Sequence, residues 1–366
     1  MPSTLFSPIE LRGVRVPNRI TVAPMCQYSA ENGVPSDWHL VHLGQFAQSG
    51  PGLIFVEATG VEPNGRITPD CTGLYDEATE AGFSRIVAFM KSVGHSAVGI
   101  QLGHSGRKGS TVAPWEGGGL IEGPDAWETE CASAVPYLPG WPEPREMDAP
   151  AMARVKAAFA EAAIRANRAG FDVLQVHIAH GYLLHQFLSP ITNQRTDEYG
   201  GSLENRLRYP LEVFEAVRAS FPADQPVMVR LSATDWIDGA WDVDQSVVFC
   251  RKLKALGCDM VDVTSGGLDQ RQKITVGPGY QVGFAERIRR EAQIPTMAVG
   301  QITDPAQAET ILLSGQADMV ALARGMLWDP RWTWKAAVAM GEEIALPAPY
   351  ARCNPALRAT PFVSRK

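Results

Sequence analysis

The sequence predicts one closed (β/α)8 barrel, a TIM barrel of the α/β class, with an N-terminal β-hairpin and a long capping loop after the third strand. Eight short β-branched or apolar runs alternate with amphipathic stretches, a pattern typical of parallel α/β folds. No shift in composition divides the chain, and such a barrel needs only about 250 residues. The 34 glycines and 27 prolines indicate many short connections rather than a helical bundle. We therefore expect a single domain over residues 1–366, with a doubly wound sheet as the alternative architecture.

The predicted elements follow one another in the order that a barrel requires. Residues 5–16 predict a hairpin that closes the barrel floor. The predicted strands cover residues 19–25, 53–59, 97–103, 173–179, 227–232, 260–265, 296–300 and 319–323. The predicted helices cover residues 37–49, 81–93, 152–169, 203–220, 243–256, 284–292, 305–313 and 328–340. The capping insertion at about 104–150 has the length of a functional lid, and a C-terminal tail occupies about 345–366.

Charge and cysteine usage exclude several classes of protein. With 33 Lys and Arg against 40 Asp and Glu, the net charge is −7, which disfavours nucleic acid as a partner because phosphate binding needs a basic surface. No apolar run approaches the roughly 20 residues of a membrane span, and the N-terminus lacks a secretory signal pattern. The six cysteines are dispersed, without a C-x-x-C pair, so neither a zinc site nor a disulfide framework is indicated. A cytoplasmic location is expected.

Side-chain alternation along three predicted strands directs polar residues to one place. In each strand the apolar residues share one parity, which leaves Gln101, His177 and Arg230 facing inward near the carboxyl ends. Barrel enzymes carry their active sites at these strand ends. A buried guanidinium needs a partner. For Arg230 the partner is either an acid within the barrel, such as Glu57, or an anionic or strongly accepting ligand.

His177, His180 and Tyr182 follow one another at the end of the fourth predicted strand. Two imidazoles and a phenol close together are suited to polarising a carbonyl group and supplying a proton. Two alternatives remain: histidines satisfied within the core, or a metal site built on the H-x-x-H spacing. The neighbouring strand ends carry no further acidic or histidine ligands, so no metal site is assigned.

The loops after the seventh and eighth strands form the usual phosphate site of such barrels. Here they contain Gly300 and the run Ala323, Arg324, Gly325. Glycine allows close backbone approach, and an arginine offers a fork of donors to a phosphate. No strand is followed by G-x-G-x-x-G and no P-loop occurs, which excludes a Rossmann or Walker-type nucleotide site.

The chain resembles the Old Yellow Enzyme family of flavin-dependent ene-reductases, which are TIM barrels that bind FMN. The resemblance extends from Asn18 to about Arg352. Its most specific part is HIAHGYLLHQFLSPITNQRTDEYGGSLENR at residues 177–206. The segment APMCQY at residues 23–28 resembles the thermophilic-like subgroup, which includes xenobiotic reductases and bacterial NADPH dehydrogenases. Cys26 stands where classical members of the family carry threonine. The resemblance implies a thiol near the flavin that tunes its redox potential. The residue type alone suggests a small buried apolar group.

The resemblance also implies a role for each site residue. The implied FMN-binding residues are Ala23, Pro24, Met25, Cys26, Ala58, Gln101, Arg230, Gly300, Ala323 and Arg324. The implied substrate-binding residues are Tyr28, His177, His180, Tyr182 and Arg352, of which His177, His180 and Tyr182 are catalytic. Ala323 departs from the glycine that many relatives carry. Arg352 is the candidate for an arginine that enters a neighbouring subunit's active site in a homodimer or homotetramer, the alternative being an ordinary residue of a solvated tail.

The implied reaction is ping-pong reduction of the C=C bond of α,β-unsaturated carbonyls and related activated alkenes. NADPH, or NADH, gives hydride to flavin N5, and the flavin passes it to the β-carbon while Tyr182 protonates the α-carbon. Two other classes stay open from the sequence: a metal-dependent barrel hydrolase and a non-catalytic flavin-binding barrel. A dienoyl-CoA reductase would need an iron–sulfur cysteine cluster and a second nucleotide domain, and the sequence has neither.

Overall fold

The computed structural model describes residues 2–353. Its strands are β1 (Ile9–Leu11), β2 (Val14–Val16), β3 (Ile20–Val22), β4 (Leu53–Gly60), β5 (Ala97–Gly103), β6 (Glu130–Cys131), β7 (Arg145–Glu146), β8 (Val173–Ile178), β9 (Val227–Ser232), β10 (Val261–Thr264), β11 (Thr296–Val299) and β12 (Met319–Leu322). Its helices are α1 (Asp37–Ala47), α2 (Glu77–Val93), α3 (Ala149–Arg168), α4 (Leu183–Leu188), α5 (Leu203–Ser220), α6 (Val243–Ala255), α7 (Val282–Ala292), α8 (Pro305–Leu313), α9 (Arg324–Trp328) and α10 (Trp332–Met340). Short 3₁₀ helices cover Pro63–Gly65, Gly106–Lys108, Pro114–Glu116 and Ala348–Cys353. None of these helices combines the length and the apolar character needed to cross a membrane.

Eight parallel strands close the barrel in the order β3, β4, β5, β8, β9, β10, β11 and β12, and β12 pairs with β3. The predicted (β/α)8 fold is therefore confirmed, and each of the barrel strands that the sequence predicts is present. The first one is shorter than the predicted residues 19–25, because the chain leaves the sheet after Val22. The backbone N–H of Ala23 still donates to the carbonyl of Leu322 at 2.9 Å, so the departing segment starts beside the upper end of β12.

The N-terminal hairpin closes the lower end of the barrel, as the sequence predicts. β1 pairs with β2 in antiparallel register, Ile9 opposite Val16. Leu11 and Val16 are buried and belong to the apolar cluster inside the barrel, together with Leu53 and Met228. Apolar side chains thus close the floor, and polar side chains are concentrated at the carboxyl ends of the strands.

Alternate residues of each barrel strand face opposite directions, in agreement with the predicted parity. Val176 and Val229 pack in the outer core between strands and helices, whereas Val173 and Met228 pack inside the barrel. Burial of an apolar side chain of this size contributes about 1.5–3 kcal/mol. A one-residue slip of a strand would send its apolar residues to the wrong face, so the pattern fixes the register.

Aspartate N-caps fix where several helices begin. Asp76 accepts a hydrogen bond from Thr79 N at 2.8 Å at the start of α2. Asp148 accepts a hydrogen bond from the backbone N–H of the third residue of α3 at 2.8 Å. Asp242 and Asp304 accept the equivalent backbone hydrogen bonds at the starts of α6 and α8. Each such cap contributes about 1 kcal/mol, because it satisfies a backbone donor that has no partner within the helix.

Two short helices, α4 and α9, were not predicted from the sequence. They begin directly after barrel strands and are too short to show a helical periodicity. The predicted helix 328–340 is accordingly wrong at its start: α9 ends at Trp328 and α10 begins at Trp332. Pro330 lies between them, and a proline has no backbone N–H to continue a helix.

The capping insertion, residues 104–150, holds little regular structure beyond the strand pair β6–β7 and two 3₁₀ turns. Arg154 of α3 bonds both Glu130 of β6 and Glu62 of the loop after β4. The indole N–H of Trp127 donates to the carbonyl of Asn64 at 3.1 Å. These contacts hold the insertion against the loop that follows β4, at the open end of the barrel.

Candidate active site

Polar side chains from four neighbouring strands meet inside the barrel. Gln101 lies opposite Gln175 in the register of β5 and β8, and His177 lies opposite Arg230 in that of β8 and β9. Gln101 Nε2 donates to Gln175 Oε1 at 2.6 Å, and Gln175 Nε2 donates to Asp262 Oδ2 at 3.2 Å. The register therefore brings Gln101, His177 and Arg230 to one end of the barrel.

Arg230 is paired with an acid within the barrel, as one of the two alternatives predicted, but this acid is Asp262 and the expectation of Glu57 is wrong. Arg230 Nε lies 3.4 Å from Asp262 Oδ2, while Glu57 Oε1 lies 2.7 Å from His39 Nε2. A bulge between Val56 and Ala58 accompanies this placement of Glu57 in β4. Burial raises the pKa of Asp262, although Arg230 lowers it.

The guanidinium of Arg230 has few protein contacts for a buried cation. Its side chain is 8% exposed, and no hydrogen bond joins it to another of the described residues. Arg230 lines a cavity of about 720 Å³ whose other walls include Tyr280, Gly300 and Arg324. A buried donor without a full set of partners is costly, so this geometry suits a ligand that accepts hydrogen bonds or carries negative charge.

His177, His180 and Tyr182 form one cluster at the end of β8. The ring centroids of His177 and His180 are 5.2 Å apart, and those of His177 and Tyr182 are 5.0 Å apart, in edge-to-face arrangements. His177 Nδ1 is buried without a hydrogen-bond partner among the described residues. His180 Nε2 lies 3.0 Å from the hydroxyl of Thr264. The cluster thus presents ring nitrogens and a phenol within reach of one small molecule.

The electrostatics of the cluster favour neutral side chains. Burial, followed by the charge of Arg230, lowers the pKa of both His177 and His180 well below the ordinary value. Burial raises the pKa of Tyr182 well above its ordinary value, so the phenol keeps its proton. Neutral imidazoles can still donate hydrogen bonds, and a protonated phenol can act as a general acid.

The backbone of His180 is held in a left-handed turn, with φ +57°. Its N–H donates to Ser232 Oγ at 3.0 Å, and its carbonyl accepts from Lys108 Nζ at 2.8 Å. Lys108 also donates to the carbonyl of Gly267 at 2.9 Å and lies 5.0 Å from the centroid of the Tyr182 ring. Lys108 therefore joins the capping insertion to the cluster of His177, His180 and Tyr182, and burial lowers the pKa of Lys108 to about 8.

The loops after β11 and β12 form the far wall of the cavity. Gly300 adopts φ +131°, and a Cβ there would lie 2.9 Å from Gln281 Nε2, so only glycine fits. Ala323 has φ −107°, a negative value that does not require glycine at this position. Arg324 begins α9, is exposed, and makes no hydrogen bond or ion pair within the described residues. This wall fits a phosphate group.

The segment after β3 follows the rim of the barrel. Ala23 packs inside the barrel, whereas the Met25 side chain packs against the outer core. Any contact of Met25 with the barrel interior is therefore made by its backbone. Pro24 lies half-buried between them. A hydrogen bond with the buried Cys71 thiol, and then burial, raise the pKa of Cys26. Cys26 is consequently a neutral thiol.

Ala58 and Tyr28, the remaining residues predicted for the site, lie near the cluster. Ala58 lines a small cavity together with His177 and Tyr182. Tyr28 has φ +49° and packs edge-to-face on Trp115 of the capping insertion, with ring centroids 5.5 Å apart. Burial raises the pKa of Tyr28. Trp115, which is 69% exposed, thus contacts Tyr28 from the capping insertion.

Arg352 lies in the exposed 3₁₀ turn Ala348–Cys353 at the end of the described residues. This turn packs against α10, where the rings of Tyr350 and Trp334 are 5.9 Å apart. Its assignment to a neighbouring subunit's active site stays a prediction. The part of the predicted tail beyond Cys353 lies outside the described residues.

Five site residues were not assigned from the sequence: Asp262, Thr264, Lys108, Gln281 and Cys71. Asp262 and Thr264 share the inward parity of the predicted strand 260–265, so the argument that found Arg230 could have found them. The other three lie in connecting segments or at a helix start, where alternation gives no direction.

Among residues 2–353, the His, Cys, Asp and Glu side chains close enough to share a metal ion are Glu62, His104 and Glu130. Arg154 bonds both carboxylates, so they already have a cationic partner. His177 and His180 are not part of this group. The described donor atoms thus give no support to a metal site on the H-x-x-H spacing.

Comparison with known proteins gives consistent matches over almost the whole chain. The profile of the NADH:flavin oxidoreductase / NADH oxidase family matches residues 4–343. The chain is 44% identical to the NADPH dehydrogenase of Geobacillus thermodenitrificans over 358 residues, which cover 96% of this chain and 99% of the relative. It is 41% identical to an NADH:flavin oxidoreductase of Gibberella zeae over 361 residues, 93% of this chain and 87% of the relative.

Solved structures show the same barrel. Morphinone reductase superposes with a TM-score of 0.78 at 29% identity, covering 95% of this chain and 92% of that protein. One such structure is a complex with tetrahydroNAD, at a TM-score of 0.76 and 28% identity, covering 95% of this chain and 93% of that one. A 2-naphthoyl-CoA reductase superposes with a TM-score of 0.82 at 24% identity, covering 93% of this chain and 52% of that one, which is a likeness of fold.

Proposed function

The chain belongs to the NADH:flavin oxidoreductase / NADH oxidase family, that of the Old Yellow Enzymes, and we propose that His177, His180 and Tyr182 perform the substrate chemistry of an FMN-dependent ene-reductase. The enzyme is an oxidoreductase that uses FMN and a nicotinamide cofactor. The observation that carries this proposal is the placement of the neutral His177–His180–Tyr182 cluster beside the incompletely paired Arg230.

The residues of the barrel mouth fit FMN. Arg230 and Gln101 would bind the polar edge of the flavin ring, because both side chains are inside the barrel and Arg230 lacks hydrogen-bond acceptors. Gly300, Ala323 and Arg324 would hold the phosphate. The segment Ala23, Pro24, Met25 and Cys26, together with Ala58, would line the ring. When bound, FMN would supply the hydride-transfer chemistry that links NADPH to the carbon β to a carbonyl group.

The protein's own side chains activate the alkene and supply the proton. His177 and His180 would donate hydrogen bonds to the carbonyl oxygen, where negative charge develops during the reaction. Tyr182 would protonate the α-carbon and regain its proton from solvent. Tyr28 would form the pocket wall. In balance, NADPH is oxidised to NADP⁺, and one hydride and one proton are added across the C=C bond.

The expected substrates are small α,β-unsaturated carbonyl compounds and related activated alkenes. The sequence has no separate dinucleotide fold, so NADPH would use the same face of the flavin as the alkene. The relative that was solved with tetrahydroNAD supports nicotinamide binding in this type of site. We also propose a cytoplasmic location and a homodimer or homotetramer in which Arg352 reaches a neighbouring active site.

An anaerobic spectrum tests the proposal against its two alternatives. The protein reconstituted with FMN should absorb at about 450 nm, bleach on addition of NADPH, and recover its colour when 2-cyclohexenone is added. A yellow protein that NADPH does not bleach would instead be a non-catalytic flavin-binding barrel. A protein that takes up no FMN would contradict the proposal and favour a metal-dependent hydrolase.

A further inference from the structure

The turn between β8 and α4 separates two residues of the cluster and has a strained backbone. His180 and Gly181 are consecutive left-handed residues, with φ +57° and φ +73°. A residue with a side chain is strained in this region, so the contacts around it must hold it there. A Cβ at Gly181 would lie 2.4 Å from the carbonyl oxygen of Gly267, so the turn also lies tightly against the loop after β10.

Gly181 is held by two side chains of the short helix that follows it. Its N–H donates to His185 Nδ1 at 2.9 Å, and its carbonyl accepts from Gln186 Nε2 at 2.7 Å. Both residues belong to the first four of α4, and their side chains contact the backbone that precedes the helix. With the bonds of His180 described above, side chains bind all four backbone polar groups of the turn.

The polarity of the bond to His185 is unambiguous. A backbone N–H can only donate, so Nδ1 of His185 is the unprotonated ring nitrogen and Nε2 carries the hydrogen. Nε2 lies 2.9 Å from Asp235 Oδ1, although its N–H is not aligned with that oxygen as a hydrogen bond. Asp235 Oδ2 accepts from Ser189 Oγ at 2.7 Å and from Trp241 N at 3.1 Å. The carboxylate is thus held in place independently of His185.

We propose that His185 is a positioning residue that holds Tyr182 in place for proton transfer, through the hydrogen bond from the Gly181 N–H to its Nδ1. This inference rests on the proposed function of Tyr182. Tyr182 directly follows Gly181, and its own N–H donates to the carbonyl of Ala179 at 3.2 Å. Because glycine has no Cβ to restrict its dihedral angles, the bond to His185 restricts them instead. His185 is 0% exposed, so it acts through the turn rather than on the substrate.

Two substitutions of His185 separate the bond to Gly181 from the contact with Asp235. Asparagine places its side-chain oxygen near the position of Nδ1, so His185→Asn keeps an acceptor for the Gly181 N–H. Glutamine places its terminal amide near the position of Nε2, so His185→Gln keeps a donor beside Asp235 and loses the acceptor at Nδ1. Asparagine also leaves the larger cavity, which lowers stability. The proposal therefore expects the less stable variant to be the more active one.

The rate to measure is reoxidation of the NADPH-reduced, FMN-loaded enzyme by 2-cyclohexenone. His185→Gln should slow it about tenfold, the effect of one lost hydrogen bond, and His185→Asn should stay within about threefold of the wild type. Urea denaturation should show the larger loss of unfolding free energy in His185→Asn. Equal slowing in the two variants, or rates that follow stability, would overturn the proposal.

Thr79→Val is the matched control, because it removes the same kind of bond far from the cluster. Thr79 is the third residue of α2, is buried, and accepts the N–H of Asp76 on its Oγ1 at 3.2 Å. The variant should lose stability and keep the wild-type rate of reoxidation. Slowing as large as in His185→Gln would show that any loss of stability slows the reaction, and would overturn the specific role of His185.

A double-mutant cycle determines whether His185 acts through Tyr182. His185→Gln should slow reoxidation about tenfold in the wild-type background but less than about twofold in Tyr182→Phe, because the phenol that it positions is already absent. A loss of equal size in both backgrounds would overturn the action through Tyr182.

The proposed function and this inference fail differently. Wild-type reoxidation in Tyr182→Phe would contradict Tyr182 as the proton donor and overturn both. Slow reoxidation in Tyr182→Phe, together with a wild-type rate in His185→Gln, would leave the proposed function intact and overturn the positioning role alone.

Discussion

His104 Nε2 lies 3.0 Å from Glu62 Oε1, and this bond joins the residue after β5 to the loop after β4. Arg154 of α3 bonds the other oxygen of Glu62. Burial acts to raise the pKa of Glu62. The hydrogen bonds and charges of His104 and Arg154 have the larger, opposite effect, so the pKa is lowered to about 2. Glu62 is therefore an ionised anchor for the capping insertion.

Glu62 gives the fold a defined sensitivity to acid. Its pKa lies below the ordinary value of 4.5, so its stabilisation is complete above about pH 4.5 and is lost as the pH falls toward 2. Between pH 7 and pH 3 the wild type should lose roughly 2 kcal/mol of unfolding free energy from this group. Urea denaturation should show that Glu62→Gln removes this part of the pH dependence, whereas the exposed Glu122→Gln leaves it in place. Equal pH dependence in wild type and Glu62→Gln would contradict the assignment.

Arg230 should set the redox potential of the bound flavin. Arg230→Gln removes a positive charge that would stabilise the reduced, anionic flavin, so the midpoint potential should fall by tens of millivolts and FMN should bind more weakly. Asp262 would then be an unpaired buried carboxylate, so Arg230→Gln combined with Asp262→Asn is the variant that protects the fold. Spectroelectrochemical titration gives the potential. A double variant with the same potential as Asp262→Asn alone would show that Arg230 does not face the flavin.

Gly300 and Ala323 should respond differently to exchange of their residue types. Gly300→Ala places a methyl group 2.9 Å from Gln281 Nε2 at a positive φ, so the FMN dissociation constant should rise at least about tenfold. Ala323→Gly should change it by less than about twofold, because the negative φ of Ala323 does not require glycine. Fluorescence titration of the apoprotein with FMN measures both. Equal effects would mean that the phosphate does not lie against Gly300.

Cys26 should tune the flavin without being needed for its binding. Cys26→Ala should shift the midpoint potential while the protein stays yellow. Cys250 is a matched control, since it is a buried thiol in the outer core between strands and helices, and Cys250→Ala should leave the potential unchanged. If both variants had the wild-type potential, Cys26 would be a packing residue.

The barrel could be predicted from the sequence because its strands are short apolar runs buried on both faces. The same alternation located Gln101, His177 and Arg230, since a parallel strand places residues of one parity on one face. The alternation pattern did not identify the partner of Arg230. A bulge in β4 and the contact with His39 take the Glu57 side chain out of the barrel interior. A bulge has no signature in the alternation pattern.

The support of the cluster was harder to predict. Lys108 lies in a 3₁₀ turn of the capping insertion, and Gln281 lies just before α7, so neither has a strand register that gives its direction. Their contacts with His180 and Thr264 are set by the tertiary fold. The left-handed backbone of His180 likewise depends on its bonds to Ser232 and Lys108.

The division of work between the flavin and Tyr182 is tested most directly by stopped-flow kinetics of both half-reactions in Tyr182→Phe. Reduction of the flavin by NADPH should stay within about twofold of wild type. Reoxidation by 2-cyclohexenone, a weakly activated alkene, should slow about a hundredfold or more, because a general acid is lost from the step that protonates the α-carbon. Reoxidation by a strongly activated nitro-olefin should change less. If both half-reactions kept their wild-type rates with 2-cyclohexenone, Tyr182 would not be the proton donor.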